Sequence, residues 1–151
     1  MNRFSFWQAW LFVASLVIVA FGLALALFNQ TAPFDWLFND RVNRAFWSSP
    51  DVPAAAASFQ QWIYGVLGAT VAGWGVVIAF IARDPFARRE RWAWNGLALS
   101  LLAWFIPDTA LSLRFGVTVN AILNLLLFVI VLLPLAFTRQ AFVAGATTQW
   151  P

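Results

Sequence analysis

Asp108 is the one acidic residue within a long apolar run of this chain, in the segment Trp104-Phe105-Ile106-Pro107-Asp108-Thr109. An ionised aspartate near the middle of a spanning helix costs about 2.5–3.5 kcal/mol on insertion scales, and less toward the interface. Such a group has to face protein or water. Ser100, Trp104, Asp108 and Ser112 recur every fourth residue, which places them on one helix face. Asn120 and Asn124 share that spacing in the next apolar run, and the short turn around Arg114, Phe115 and Gly116 folds them back toward Asp108. Gln60, Gln61 and Tyr64 sit at matching depth in an earlier run.

Two uses of such a cluster follow. Tyr64, Asp108, Asn120 and Asn124, with Gln61 and Arg114 as further members, could anchor the polar end of a small amphipathic molecule above a floor formed by Trp104. Alternatively the same side chains lock helices together through interhelical hydrogen bonds of about 0.6 kcal/mol each, with Arg114 neutralising Asp108. Asn95, alone near the inner end of its run, reads as an interfacial residue.

The remaining inventory excludes much chemistry. The chain has no Cys and no His. Thiol–disulfide exchange, Fe–S ligation, bis-histidine haem ligation and imidazole-based triads are therefore outside its means. No two of the six carboxylates lie within one apolar span, so a carboxylate-bridged metal pair in the bilayer is not expected. Gly65-Val66-Leu67-Gly68 lacks the lysine and the strand-to-helix setting of a phosphate-binding loop. No catalytic residue, metal or cofactor is expected.

The elements that position these residues are membrane spans. The chain is 62% hydrophobic and 10% charged over 151 residues, against about 45–50% and 25% in soluble domains. Four apolar runs, at residues 6–28, 59–82, 92–113 and 117–137, are each long enough for a hydrocarbon core of about 30 Å. The fold class expected is all-α: an integral membrane four-helix bundle forming a single domain over residues 1–151. The first run is expected to remain as an uncleaved span, because a signal h-region is only about 7–15 residues. Pro107 is expected to kink or end span three, and Pro134 stands near the end of span four.

Residues 29–58 form the longest stretch between spans. Phe34, Leu37, Phe38, Val42, Ala45 and Phe46 recur there at helical spacing, with Asp35, Asn39, Asp40, Asn43 and Arg44 on the other side. This predicts an amphipathic helix over residues 33–47 lying in the interface, with Pro33 in its first turn and Asp40 and Arg44 one turn apart to pair. It would serve as an interfacial anchor or as a lid over the bundle. In span two, Gly65, Ala69 and Gly73 repeat every fourth position beside a second row of Gly68, Ala72 and Gly75. Small residues let helices approach closely in lipid, so Gly65, Gly68, Ala69 and Gly73 are candidate packing residues, either within the chain or at a homodimer seam.

All nine basic residues are arginine, and six of them (Arg3, Arg83, Arg88, Arg89, Arg91 and Arg139) fall on one side of a four-span arrangement. The excess orients that side, with both termini, toward the cytoplasm of a cell membrane. The charges lie between spans, so the high pI of about 11.1 does not point to nucleic acid. Expected partners are membrane lipids and a homodimer or a larger membrane complex. Most tryptophans stand near span ends, as Trp7, Trp10, Trp36, Trp47, Trp62, Trp92 and Trp94 do, whereas Trp74 and Trp104 lie inside spans. The favoured reading is a structural or accessory membrane subunit. The alternatives are a binding module for a lipid, sterol-like compound or quinone, and an oligomeric transporter using Asp108. No motif of a characterised four-helix membrane family is matched, and helix count alone transfers no function.

Overall fold

A helix satisfies its own backbone in lipid, so long apolar runs in this chain have one stable conformation when they cross a bilayer. The computed structural model describes residues 2–144 and shows helices joined by short connections, with no strand among the described residues. They are α1 (Arg3–Phe28), α2 (Ala32–Phe34), a π-helical turn (Asp35–Asn39), α3 (Asp40–Trp47), α4 (Ala54–Arg83), α5 (Arg91–Arg114) and α6 (Thr118–Ala144). Four of these, α1, α4, α5 and α6, are long and apolar enough to cross a membrane. Their outward surface matches that role: Leu27, Phe80 and Leu99 are 71%, 67% and 70% exposed. An apolar surface of this extent needs a hydrocarbon surrounding. Trp150 lies outside the described residues.

The bundle is built from two pairs. α1 lies along α4 over most of its length, α5 forms a hairpin with α6, and α1 also touches α6. Glycine makes the first pair possible. A Cβ at Gly22 would fall 2.4 Å from the Ala72 nitrogen, and one at Gly68 would fall 2.4 Å from the Ala26 nitrogen. Two backbones this close gain dispersion contacts that any larger side chain would forbid. Gly75 completes the row, its Cβ position 2.8 Å from Val19.

Of the four candidate packing residues, Gly68 is therefore at the seam. Gly65 lies at its margin, with the Ala26 carbonyl 3.9 Å from its Cβ position. Ala69 and Gly73 face outward, and nothing in the chain comes within 4 Å of a Cβ at Gly73. The seam uses the row of Gly68, Ala72 and Gly75 because that row shares a helix face with Tyr64 and Ile78, which are also buried.

The two prolines do not end their helices. α5 continues through Pro107 to Arg114, and α6 continues ten residues beyond Pro134. Pro134 has no N–H for the carbonyl of Ile130, one turn earlier. The indole of Trp10 on α1 donates to that carbonyl at 3.0 Å. An inserted side-chain donor thus replaces the missing backbone bond. The α5–α6 connection closes on Gly116 with φ of +73°, a conformation that any other residue would adopt under strain.

At the arginine-rich end, Phe86 of the α4–α5 connection is wholly buried between Phe4 and Phe142, at ring distances of 5.9 and 4.8 Å. This plug draws the basic loop onto the bundle. Arg89 then lies over the Phe4 ring at 4.7 Å, and Arg88 bridges Asp84 and Glu90 at 2.6 Å each.

Candidate functional site

Helices α5 and α6 are joined by a turn of three residues, so their facing surfaces keep the same depth near that turn. Asp108 on α5 thereby meets Asn120 and Asn124 on α6. Asn120 Nδ2 donates to Asp108 Oδ1 at 2.8 Å, and Asn124 Nδ2 donates to the same oxygen at 2.9 Å. One turn back on α5, Trp104 Nε1 donates to Asp108 Oδ2 at 3.2 Å. One turn forward, the Ser112 hydroxyl lies 2.7 Å from the Asp108 backbone carbonyl and 3.2 Å from Oδ1. Asn124 is 4% exposed and Ser112 8%, so the network is shielded from lipid. Hydrogen bonds in such surroundings are strong, and unpaired groups costly.

This network forms the polar end of a cavity of about 390 Å³ between the α1–α4 pair and the α5–α6 pair. The cavity exists because α4 and α5 do not pack backbone to backbone as the two pairs do. Across the gap their contact is through large rings: Trp74 on α4 and Trp104 on α5 stand 5.7 Å apart. Below the polar end the walls are apolar, with Ile18 on α1, Leu101 on α5 and Val131 on α6. Tyr64 lines the α4 wall, where its hydroxyl accepts from Gln60 Nε2 at 3.1 Å. Thus Tyr64, Trp104, Asp108, Asn120 and Asn124 all border one space, with the first on the wall opposite the other four.

The roof is the segment between α1 and α4. Of the apolar face read from the sequence, Phe34, Leu37, Phe38, Val42 and Phe46 line the cavity, whereas Ala45 is exposed and does not. Aromatic contacts seat this face: Phe38 against Tyr64 at 5.7 Å, and Phe46 against Phe115 at 5.8 Å. Polar ties hold its other side. Asn39 Nδ2 donates to the Asn29 carbonyl at 2.8 Å, and Gln60 Nε2 donates to Asn43 Oδ1 at 3.0 Å. The predicted regular helix differs in one respect, since residues Asp35–Asn39 form a π-helical turn. The extra residue in that turn accompanies an Asn39 side chain that reaches both Asn29 and Asp35, leaving its buried Oδ1 without a partner. Pro33 stands in the first turn as expected. Asp40 and Arg44 do not pair; the ion pairs among the described residues are those of Arg88.

Comparison with protein-family models, curated proteins and solved structures found no match to this chain. Function is therefore read from the geometry of the site alone.

Two further members expected from the sequence stand outside the cluster. Arg114 is exposed and forms no ion pair with Asp108. At about 100° per residue, six positions carry it about 120° around α5 from Asp108, away from α6. Gln61 is exposed, and its backbone carbonyl, not its side chain, takes part in a contact, with Asn29 Nδ2 at 3.5 Å. Conversely, Trp74, Phe115 and Leu127 line the cavity without having been singled out as members of the cluster. Trp74 carried a signal, because a tryptophan in mid-span has no interface to occupy.

Proposed function

We propose that this multi-pass membrane protein binds a small amphipathic molecule in the cavity between its two helix pairs. The observation that carries the reading is the cavity itself, of about 390 Å³, with Asp108, Asn120 and Asn124 at one end and apolar walls below them. Small-molecule sites are commonly about 300–1,000 Å³, mostly apolar, with a few convergent polar groups. A side-chain cluster serving only to lock helices has no need of an unfilled space beside it, because empty volume costs packing energy. The apolar face of the roof segment closes the space from one membrane surface, which suits a lid. The arginine excess at the opposite end supports both termini lying in the cytoplasm of a cell and the roof facing outward.

A search by native mass spectrometry for small molecules carried by gently purified protein tests this reading. Val71→Trp, which fills the cavity from the α4 wall, is the control. The expected result is a small amphipathic molecule held by the wild-type chain and absent from the filled variant. If the wild-type chain carries none, or both carry it equally, the reading fails.

A second reading, self-association, is favoured by the outward position of Ala69 and Gly73, which leaves α4 a shallow apolar face flanked by Val66 and Val77. Its measure is the oligomeric state of Gly73→Leu in detergent. A wild-type dimer that the variant loses would support it, and an unchanged state would end it.

A further inference from the structure

Donors and acceptors at the polar end of the cavity are unequally committed. Trp104 Nε1 is directed at Asp108 Oδ2 at 3.2 Å. Asn120 Nδ2 divides its two protons between Asp108 Oδ1 and Ser112 Oγ, each at 2.8 Å. Asn124 Nδ2 divides its own between Asp108 Oδ1 at 2.9 Å and Thr109 Oγ1 at 3.4 Å. The Ser112 hydroxyl is directed at the carbonyl and carboxylate of Asp108. The Tyr64 hydroxyl on the opposite wall accepts from Gln60 and donates to no described residue, whereas the donors that face Asp108 are thus used within the cluster.

The acceptors are not. An asparagine that presents its NH2 to Asp108 turns its carbonyl oxygen the other way. Among the described residues, neither Asn120 Oδ1 nor Asn124 Oδ1 accepts a hydrogen bond, although Nδ2 of each makes two. Asp108 itself is ringed by neutral donors and pairs with no arginine. As a carboxylate it offers acceptor oxygens only, and among the described residues no cationic side chain stands beside it to offset a negative charge within the span.

These facts discriminate between polar headgroups. A quinone or ketone carbonyl needs a donor, and the donors beside Asp108 are taken. A carboxylate or phosphate headgroup meets a like charge in a poorly solvated place. A neutral hydroxyl satisfies an acceptor and leaves the charge unbalanced. A protonated amine supplies donors to the free acceptors and neutralises Asp108 at once. Aromatic rings on three walls, Trp74, Trp104, Tyr64 and Phe38, add surfaces that attract a cation.

Given that the cavity is a binding site, we propose that its occupant is a cationic amphiphile, a hydrophobic amine or ammonium ion. Its N–H groups meet Asp108 and the asparagine carbonyls, and its tail runs along Leu101 and Val131 toward mid-membrane. Asp108 lies seven residues from Leu101, so the tail has about 10 Å of wall to follow.

The test compares three probes with the same eight-carbon tail: n-octylamine, n-octanol and n-octanoate. Each is titrated at neutral pH into the full chain in an uncharged maltoside detergent, and binding is followed by tryptophan emission and native mass spectrometry. Val71→Trp subtracts uptake by the micelle. The expected result is that n-octylamine binds at least about tenfold more tightly than n-octanol, as befits a charge-assisted hydrogen bond, with n-octanoate weakest. Asp108→Asn is expected to bring the amine to within about threefold of the alcohol when both are measured on that variant. If n-octanol or n-octanoate binds the wild-type chain as tightly as the amine, the cationic occupant is wrong and the cavity reading stands. If no probe binds above the level of Val71→Trp, both fall. The probe comparison on the wild-type chain is decisive even where Asp108→Asn fails to fold.

Discussion

Gly22 of α1 and Ala72 of α4 approach until a Cβ on the glycine would stand 2.4 Å from the alanine nitrogen, and Gly68 repeats the approach to Ala26 one turn away. No side-chain movement relieves a clash with backbone. Gly68→Val is therefore expected to cost at least about 1–3 kcal/mol, the range for overpacking a well-filled site. Gly73→Val, in open space, is expected to stay within about 0.5 kcal/mol of wild type. Unfolding equilibria in mixed micelles measure both. Equal costs for the two would show that α1 and α4 do not meet as described.

Asn120 and Asn124 share one acceptor, Asp108 Oδ1. Each replacement by alanine is expected to cost about 0.6 kcal/mol, the average for an interhelical hydrogen bond in a membrane protein. Because the survivor can tighten on the freed oxygen, each single replacement is partly compensated, and the double replacement should cost more than the two singles together. Asp108→Ala, by contrast, strands several donors and is expected to cost about 1–3 kcal/mol. Strict additivity of the asparagine pair in a double-mutant cycle would contradict the shared acceptor.

Trp10 and Pro134 act on one carbonyl, that of Ile130. Trp10→Phe leaves it without its side-chain donor and is expected to cost about 0.5–1.5 kcal/mol in the wild-type background. In a Pro134→Ala background the backbone supplies the donor, and the same change should cost measurably less. An identical cost in both backgrounds would mean that the indole contributes packing alone.

In the exposed basic loop, Glu90 is held below the usual glutamate range, chiefly by its hydrogen bond from Arg88 and next by that from Trp92. A carboxyl whose pKa is lowered on folding contributes stability above its unfolded value, about 4.3, and loses it as pH falls through the lower folded value. An NMR titration of the Glu90 carboxyl should place its midpoint below that of an unstructured glutamate. Arg88→Met should raise the midpoint, and salt should do the same more weakly. A midpoint unmoved by Arg88→Met would remove the pairing as its cause.

The spans were legible because length and apolarity together leave a chain in lipid only one conformation. Likewise, the face of Phe34, Leu37, Phe38, Val42 and Phe46 was legible from its period, and Asp108 meets the asparagines because four-residue spacing and a short turn align them. What escaped were features that depend on a second helix. Gly22 and Ala26 stand four apart on α1, a short small-residue pair not singled out from the sequence, and its role appears where α4 lies across it. Span four was expected to end near residue 137, shortly after Pro134, and α6 runs on to Ala144 with a donor for the Ile130 carbonyl supplied by Trp10, far away in the chain. Similarly, Arg114 is near Asp108 in sequence, but the helical twist carries it to another side of α5. The π-helical turn at Asp35–Asn39 has no signature in the hydropathy pattern, since one added residue leaves the apolar face nearly unbroken.

The pairing of α1 with α4 and of α5 with α6 has a bearing on how the molecule comes into being. Each pair joins consecutive spans, so each hairpin can form in the bilayer as soon as its second member leaves the translocation machinery. The space between them arises only when the finished halves dock, which makes it the last feature to be completed. A molecule lodged there would touch both halves and neither alone, so it would act as a mortar that favours the joined state over two separate hairpins.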